Sequence, residues 1–433
     1  MTFVPSETTA ARPSARDAKD TLRTVAVCGA FDMQNFGDLL FPVLAAHRLA
    51  NHGYKVVTHA PTDSDPGLGL PAPRPVEALF DPAQDVDAVM IGGGYIVHGF
   101  PVSRFVKLNR AEGETDNRAE LLDCWMGATV AAALRGVPVV WNAPGVPFPF
   151  SGRQQATLDA VTDAADYLSL RDAGSAAFLR PSELPTARIV PDPVAEISRI
   201  WTAASLAPEL AAFRSRHAVP EDRPLLAIHV RDRSLSGLGP EGLARLIDAF
   251  AQAHQLLPVL IAVGDAHHDA LTAQSVAQHM TGPQVVLNQA LSLREIASVL
   301  AHARLYVGAS LHGYIAASSY GVPGALVARP AYGKFDGYLR HLDRLSDKSL
   351  DWAAAFDHAA QLLAGPQTRP LPPAVFDALD RHWQEMRAAL DSAGPTAASR
   401  SDFLRRYIAL CVSRSGPAWL TSPFNATIRG IQP

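Results

Sequence analysis

Cysteine is nearly absent: Cys28, Cys124 and Cys411 are the only three in 433 residues, and their spacing offers neither a disulfide framework nor a zinc site. The expected home is therefore a reducing cytoplasm. Charge of one sign is also lacking. With 42 acidic and 38 basic residues the formal charge is −4, which removes the electrostatic argument for nucleic acid or an anionic membrane as partner. Any phosphate site has to be local. No run of about 18 apolar residues is present, which argues against a membrane span. The first 20 residues lack the apolar stretch of a signal peptide and read as a flexible leader. No tandem repeat stands out beyond a general likeness of the two halves.

What the chain does have is alternation. Short β-rich runs at 24–29, 55–59, 88–91, 137–141 and 167–169 are separated by amphipathic stretches at 39–51, 118–134 and 154–165. A second series follows at 225–230, 259–264, 285–287, 305–307 and 324–327, with helical stretches at 240–254 and 293–301. Strand and helix in alternation imply parallel sheets covered on both faces, and this length exceeds what one core usually organises. The expected fold is α/β: two doubly wound parallel-sheet domains, 21–197 and 198–350, facing a cleft that is the default binding site. Residues 351–433 read as a helical C-terminal extension, able to pack in cis or to mediate a homo-oligomer.

The motifs fall at strand ends, where open α/β sheets bind ligands. Gly308-Ala309-Ser310-Leu311-His312-Gly313 follows an apolar run and precedes a helix, placing His312 at a helix N-terminus. An uncapped terminus there would lower the imidazole's affinity for protons and a bound anion would restore it. Asn35-Phe36-Gly37-Asp38 closes the first strand's loop, with Asp38 able to cap the next helix; it reads either as an anion or sugar site or as an ordinary well-capped loop. That loop lacks the GxGxxG order of a dinucleotide site. Gly92-Gly93-Gly94 lets a backbone approach a ligand closely, or equally a crossing segment; no Gly-Lys-Ser or Gly-Lys-Thr follows, so a nucleoside-triphosphatase phosphate loop is ruled out. Tyr95 and His98 share this loop. Arg171 and the pair Arg231 and Arg233 suit an anion, against a background reading of Arg171 paired with Asp172 or another acidic neighbour and of surface salt bridging by the other two. Asp192, between two prolines, is a further candidate. Gly264 to Asp269 is metal-like in composition, but His267 and His268 are adjacent and point different ways, so a solvated helix start is favoured. Arg329 and Lys334 lie in an expected loop beyond Pro323, where they can neutralise a doubly charged ligand.

In order and spacing these motifs, from Asn35 to Lys334 and including Ser169-Leu170-Arg171-Asp172 and Gly321-Val322-Pro323, resemble the polysaccharide pyruvyl transferase family over residues 23–345. The resemblance implies a GT-B-like architecture and transfer of an enolpyruvyl-derived group from phosphoenolpyruvate to a saccharide as a ketal, without metal or organic cofactor. It implies His312 as general acid/base. The donor would be bound by Arg171, Arg231, Ser310, Leu311, Arg329 and Lys334, and the acceptor by Asn35, Asp38, Gly92, Gly93, Gly94 and Tyr95. There is one departure: the family usually has arginine two residues before the histidine, where this chain has Ser310. Two other readings stand beside this one, a GT-B glycosyltransferase using a nucleotide sugar and a non-catalytic saccharide-binding protein.

Overall fold

The computed structural model describes residues 22–102, 120–179, 187–264, 269–392 and 397–421. The leader and the histidines His267 and His268 lie outside the described residues. The first sheet contains β1 (Arg23–Cys28), β2 (Tyr54–Ala60), β3 (Arg74–Pro75), β4 (Ala88–Gly92) and β5 (Val139–Asn142), in the order β3-β2-β1-β4-β5. All its pairings are parallel. A small pair, β6 (Ser169–Leu170) and β7 (Arg188–Ile189), continues from β5 through a bridge between Val140 and Tyr167. The second sheet holds β8 (Leu225–His229), β9 (Leu257–Ile261), β10 (Val285–Leu287), β11 (Ala303–Gly308), β12 (Gly324–Val327) and β13 (Lys348–Ser349). Its order, β10-β9-β8-β11-β12-β13, is again wholly parallel.

The central strands β4 and β8 are buried at every position, and β1 and β11 at all but one, because helices cover both faces. That is why the sequence presents continuous apolar runs there. Two boundaries differ from expectation for local reasons. The fifth strand starts at Val139, after Pro138, which has no N–H to give a ladder. The expected strand 259–264 stops at Ile261, since Val263 and Gly264 turn away to meet the first domain. The strands β3 and β13 have two residues each, too few to leave a periodic signal.

The two halves share a core. One apolar cluster runs from Phe36, Phe41 and Leu44 on the helix Phe36–Ala50, through Ile296 and Val299, to Ile315, Trp383 and Met386. Separate clusters cover the outer faces of the two sheets. The C-terminal helices divide between the halves: Trp352–Ala364, capped by Asp351, lies on β12, while Pro373–Asp391 crosses back to the first sheet. There the buried His382 joins Tyr167 Oη (2.8 Å) to Asn142 Oδ1 (2.9 Å), and Trp383 Nε1 donates to Glu196 (2.8 Å). Burial, with Arg48 and Arg188 nearby, pushes the His382 pKa down to about 3, so it is neutral at physiological pH. None of the described helices is long and apolar enough to cross a membrane. The three cysteines are free thiols.

Candidate active site

Both sheets reverse strand order beside their first strand, at β1/β4 and β8/β11, and the loops leaving these four strands meet across the cleft. The first-domain loop is stitched to the second domain by its backbone: Phe36 N–H donates to Val263 O (2.7 Å) and Asn35 bridges Gly264. The helix begins at Phe36, so Asp38 lies within its first turn and does not cap it. Asn35 Nδ2 donates to Asp38 Oδ2 (2.7 Å). Burial raises the Asp38 pKa, an effect that His312, Arg171 and Lys334 partly offset. Gly37 has no room for a side chain, because a Cβ there would stand 1.8 Å from Nδ1 of His312.

His312 projects from the first turn of the helix Leu311–Ser319. This terminus is not bare, as the sequence suggested: the Ser310 hydroxyl accepts from Gly313 N–H (3.2 Å) and caps it. Nε2 of His312 lies 3.4 Å from Asp192 Oδ2, and Arg171 Nη1 donates to that same oxygen (3.1 Å). The other Asp192 oxygen accepts from Val194 N–H (3.0 Å). Burial works against the Asp192 carboxylate, but His312, Arg171 and this amide outweigh it and hold its pKa below the usual carboxylate range. Arg171 is itself buried, its plane over the Tyr95 ring (4.7 Å) and its Nε without a hydrogen-bond partner.

The opposite wall is also cationic. Arg231 follows β8 with Nε 3.8 Å from Asp269 Oδ1, and Arg233 donates to Tyr332 Oη (3.2 Å). Lys334 opens the helix Gly333–Leu342, where the sequence had suggested a loop, and its amine lies among the rings of Tyr95, Tyr332 and Phe335 at 5.1–5.6 Å. Desolvation, with Arg231 and Arg171 close by, lowers its pKa to about 7. These groups enclose a cavity of about 800 Å³ lined by Asn35, Asp38, Tyr95, Arg171, Arg231, Ser310, Leu311, His312 and Lys334, among others.

The remaining expected contacts are not in the lining. Gly92, Gly93 and Gly94 let other parts of the protein come close: Asn142 packs on Gly92, Phe31 and Phe41 on Gly93, and Asp38 on Gly94. Arg329 follows Ala328, whose N–H donates to Ser349 O of the edge strand, and it is absent from the lining. Tyr95 does line the cavity, but beside Arg171 and Lys334, on the cationic side and not apart from it. Among the described residues no cluster of three or more His, Cys, Asp or Glu could hold a metal ion.

The model of the polysaccharide pyruvyl transferase family matches residues 35–330, well over half of the chain. The chain belongs to the polysaccharide pyruvyl transferase family. No curated protein matches it in sequence. Among solved structures it is similar to a UDP-GlcNAc 2-epimerase from Methanocaldococcus jannaschii (11% identity, 84% of this chain and 99% of that one, TM-score 0.55). It is similar also to those of Neisseria meningitidis, bound to UDP-GlcNAc (11%, 84% and 100%, 0.54), and Rickettsia bellii (12%, 86% and 97%, 0.53). At such identities the likeness shows the fold alone, the GT-B-like pair of parallel sheets.

In this pyruvyl transferase family member Ser310 is a helix cap, its hydroxyl committed to Gly313. The cations around the cavity come from other elements: Arg171, Arg231, Arg233 and Lys334. Tyr332 and Phe148, which also line it, carry no pattern in the sequence that would have singled them out.

Proposed function

We propose that the protein transfers the pyruvyl group of phosphoenolpyruvate to two hydroxyls of one saccharide, forming a ketal and releasing phosphate. The observation that carries this reading is the crowd of cations in one cavity, where burial, together with Arg231 and Arg171, lowers the Lys334 pKa to about 7. Such a site gains most from a small ligand with several negative charges, which restores the ammonium. The carboxylate and phosphate of the donor supply those charges, and Arg231, Arg233 and Lys334 receive them.

The reaction needs a proton delivered to the methylene carbon and two protons removed from hydroxyls. In the first step His312, held against Asp192, protonates C3 while one acceptor oxygen bonds to C2 and gives its proton to Asp38. In the second step another hydroxyl attacks C2, the C–O bond to phosphate breaks, and that hydroxyl's proton leaves with the phosphate. The imidazole suits proton transfer at neutral pH. Asp38 suits the base role because burial raises its affinity for a proton. Arg171 keeps Asp192 ionised, and with it the orientation of His312.

The test is calorimetric titration with phosphoenolpyruvate, followed by phosphate release in the presence of candidate saccharides, for wild type, Arg231→Gln and His312→Asn. Saturable donor binding weakened by Arg231→Gln, with phosphate release lost in His312→Asn, is the expected result. Binding of a nucleotide sugar with no response to phosphoenolpyruvate would overturn the proposal.

A further inference from the structure

The cavity has a second character. Its cations need only a fraction of about 800 Å³ to hold a three-carbon acid phosphate, and part of its first-domain lining is apolar, formed by Ile96, Phe100, Leu121 and Phe148. Phe148 is 42% exposed, a large phenyl face left uncovered at the cavity. Phe100 stands edge-on against it, centroids 5.4 Å apart at 68°, and His98 packs on Phe100 in turn. The loop is fixed by its backbone: Gly145 N–H donates to Gly94 O (2.9 Å), Val97 N–H to Gly145 O (3.2 Å), and Val146 N–H to Ser175 Oγ (3.0 Å). Pro147 and Pro149 flank the phenylalanine and restrict it further.

A ring held rigid and left exposed inside a ligand cavity provides a contact face at little entropic cost on binding. We propose that Phe148, supported by Phe100, is the platform on which a pyranose ring of the acceptor stacks its C–H face. This rests on the saccharide reading above. A pyranose combines an apolar face with hydroxyls around its rim, and the wall supplies a flat apolar ring with Asn35, Thr272 and Ser275 elsewhere in the same cavity. Glycines 92–94 act at one remove, since Gly94 O anchors the loop that carries the platform.

Saturation-transfer NMR with the methyl pyranosides of glucose, galactose and mannose tests the platform directly on the full chain, with uridine monophosphate as a parallel probe. The expected result is transfer concentrated on the C–H protons of one ring face for at least one pyranoside, lost in Phe148→Ala and Phe148→Leu and retained in Phe148→Trp. Thermal midpoints of the three variants establish that each is folded. Phosphoenolpyruvate affinity, measured on the same samples, should not move between them. Transfer that survives Phe148→Ala, transfer to uridine in place of the sugars, or no transfer to any pyranoside overturns the platform. Pyranoside transfer that depends on Phe148, in a protein that neither binds phosphoenolpyruvate nor releases phosphate, leaves the platform standing and removes the pyruvyl donor instead.

Discussion

The loops after β4 and β11 occupy the same place in their sheets, the fourth strand of the same winding order, yet they do different work. After β4, Gly92-Gly93-Gly94 contributes no side chain and does not line the cavity; it admits Asn142, Phe41 and Asp38 against the backbone. After β11, Ser310 caps a helix whose first turn aims His312 at Asp192. A glycine run at a strand end therefore marks close approach, and what approaches has to be found in three dimensions. In this protein it is another part of the protein, including the carboxylate of Asp38, which lines the cavity.

The sharpest way to break the comparison is His312→Ala. Loss of a positioned acid/base group should cut turnover by about 10²–10⁴ while leaving the thermal midpoint close to wild type; near-full turnover would place the chemistry elsewhere. Gly37→Ala tests whether the first domain sets the histidine's position. The new methyl would displace the imidazole, and a shift of about 1 Å in reacting groups costs on the order of 10² in rate. Turnover should fall with donor affinity largely kept, and equal loss of both would point to general misfolding.

On the other loop, Gly94 has φ +66° and a Cβ there would stand 1.9 Å from Asp38 Oδ1. Gly94→Ala should lower stability by about 1–3 kcal/mol in urea unfolding, with activity lost through the displaced Asp38. An unchanged midpoint would mean that the loop is freer than its packing suggests. A pH series sharpens the cationic side. The amine of Lys334 is depressed to about 7, so the unfolded chain holds this proton up to its ordinary range near 10.5 while the folded protein does not. Its contribution to the free protein's stability therefore rises with pH above about 7, and the penalty is complete below it. Donor affinity runs the opposite way, highest where Lys334 is charged and falling above pH 7. Lys334→Arg should flatten that fall; a profile unchanged by the substitution would assign it to another group. The smallest effect is expected for Arg329→Ala, within about 0.5 kcal/mol in stability and with donor KM unaltered, since Arg329 is outside the cavity lining.

Much of this arrangement is legible in the sequence. The apolar runs locate the central strands because those strands are buried on both faces, and the helical stretch 293–301 is found as the helix Leu293–Ala301. Arg171, Arg231, Lys334, Asp38 and His312 line one cavity because strand ends in doubly wound sheets converge. Illegible were the crossing of Pro373–Asp391 to the first sheet, and Phe148, an aromatic between prolines that looks the same in a surface loop as in a binding wall.

The sequence by itself determined two parallel sheets, the strand ends where chemistry collects and the family to which the motifs belong, because burial, turn geometry and helix capping act over a few residues. Only the tertiary structure decided that Gly37 makes room for His312, that Asp192 joins Arg171 to that histidine, and that Gly92 to Gly94 serve packing. Those depend on contacts between segments far apart in the chain, whose distances and desolvation no local pattern records.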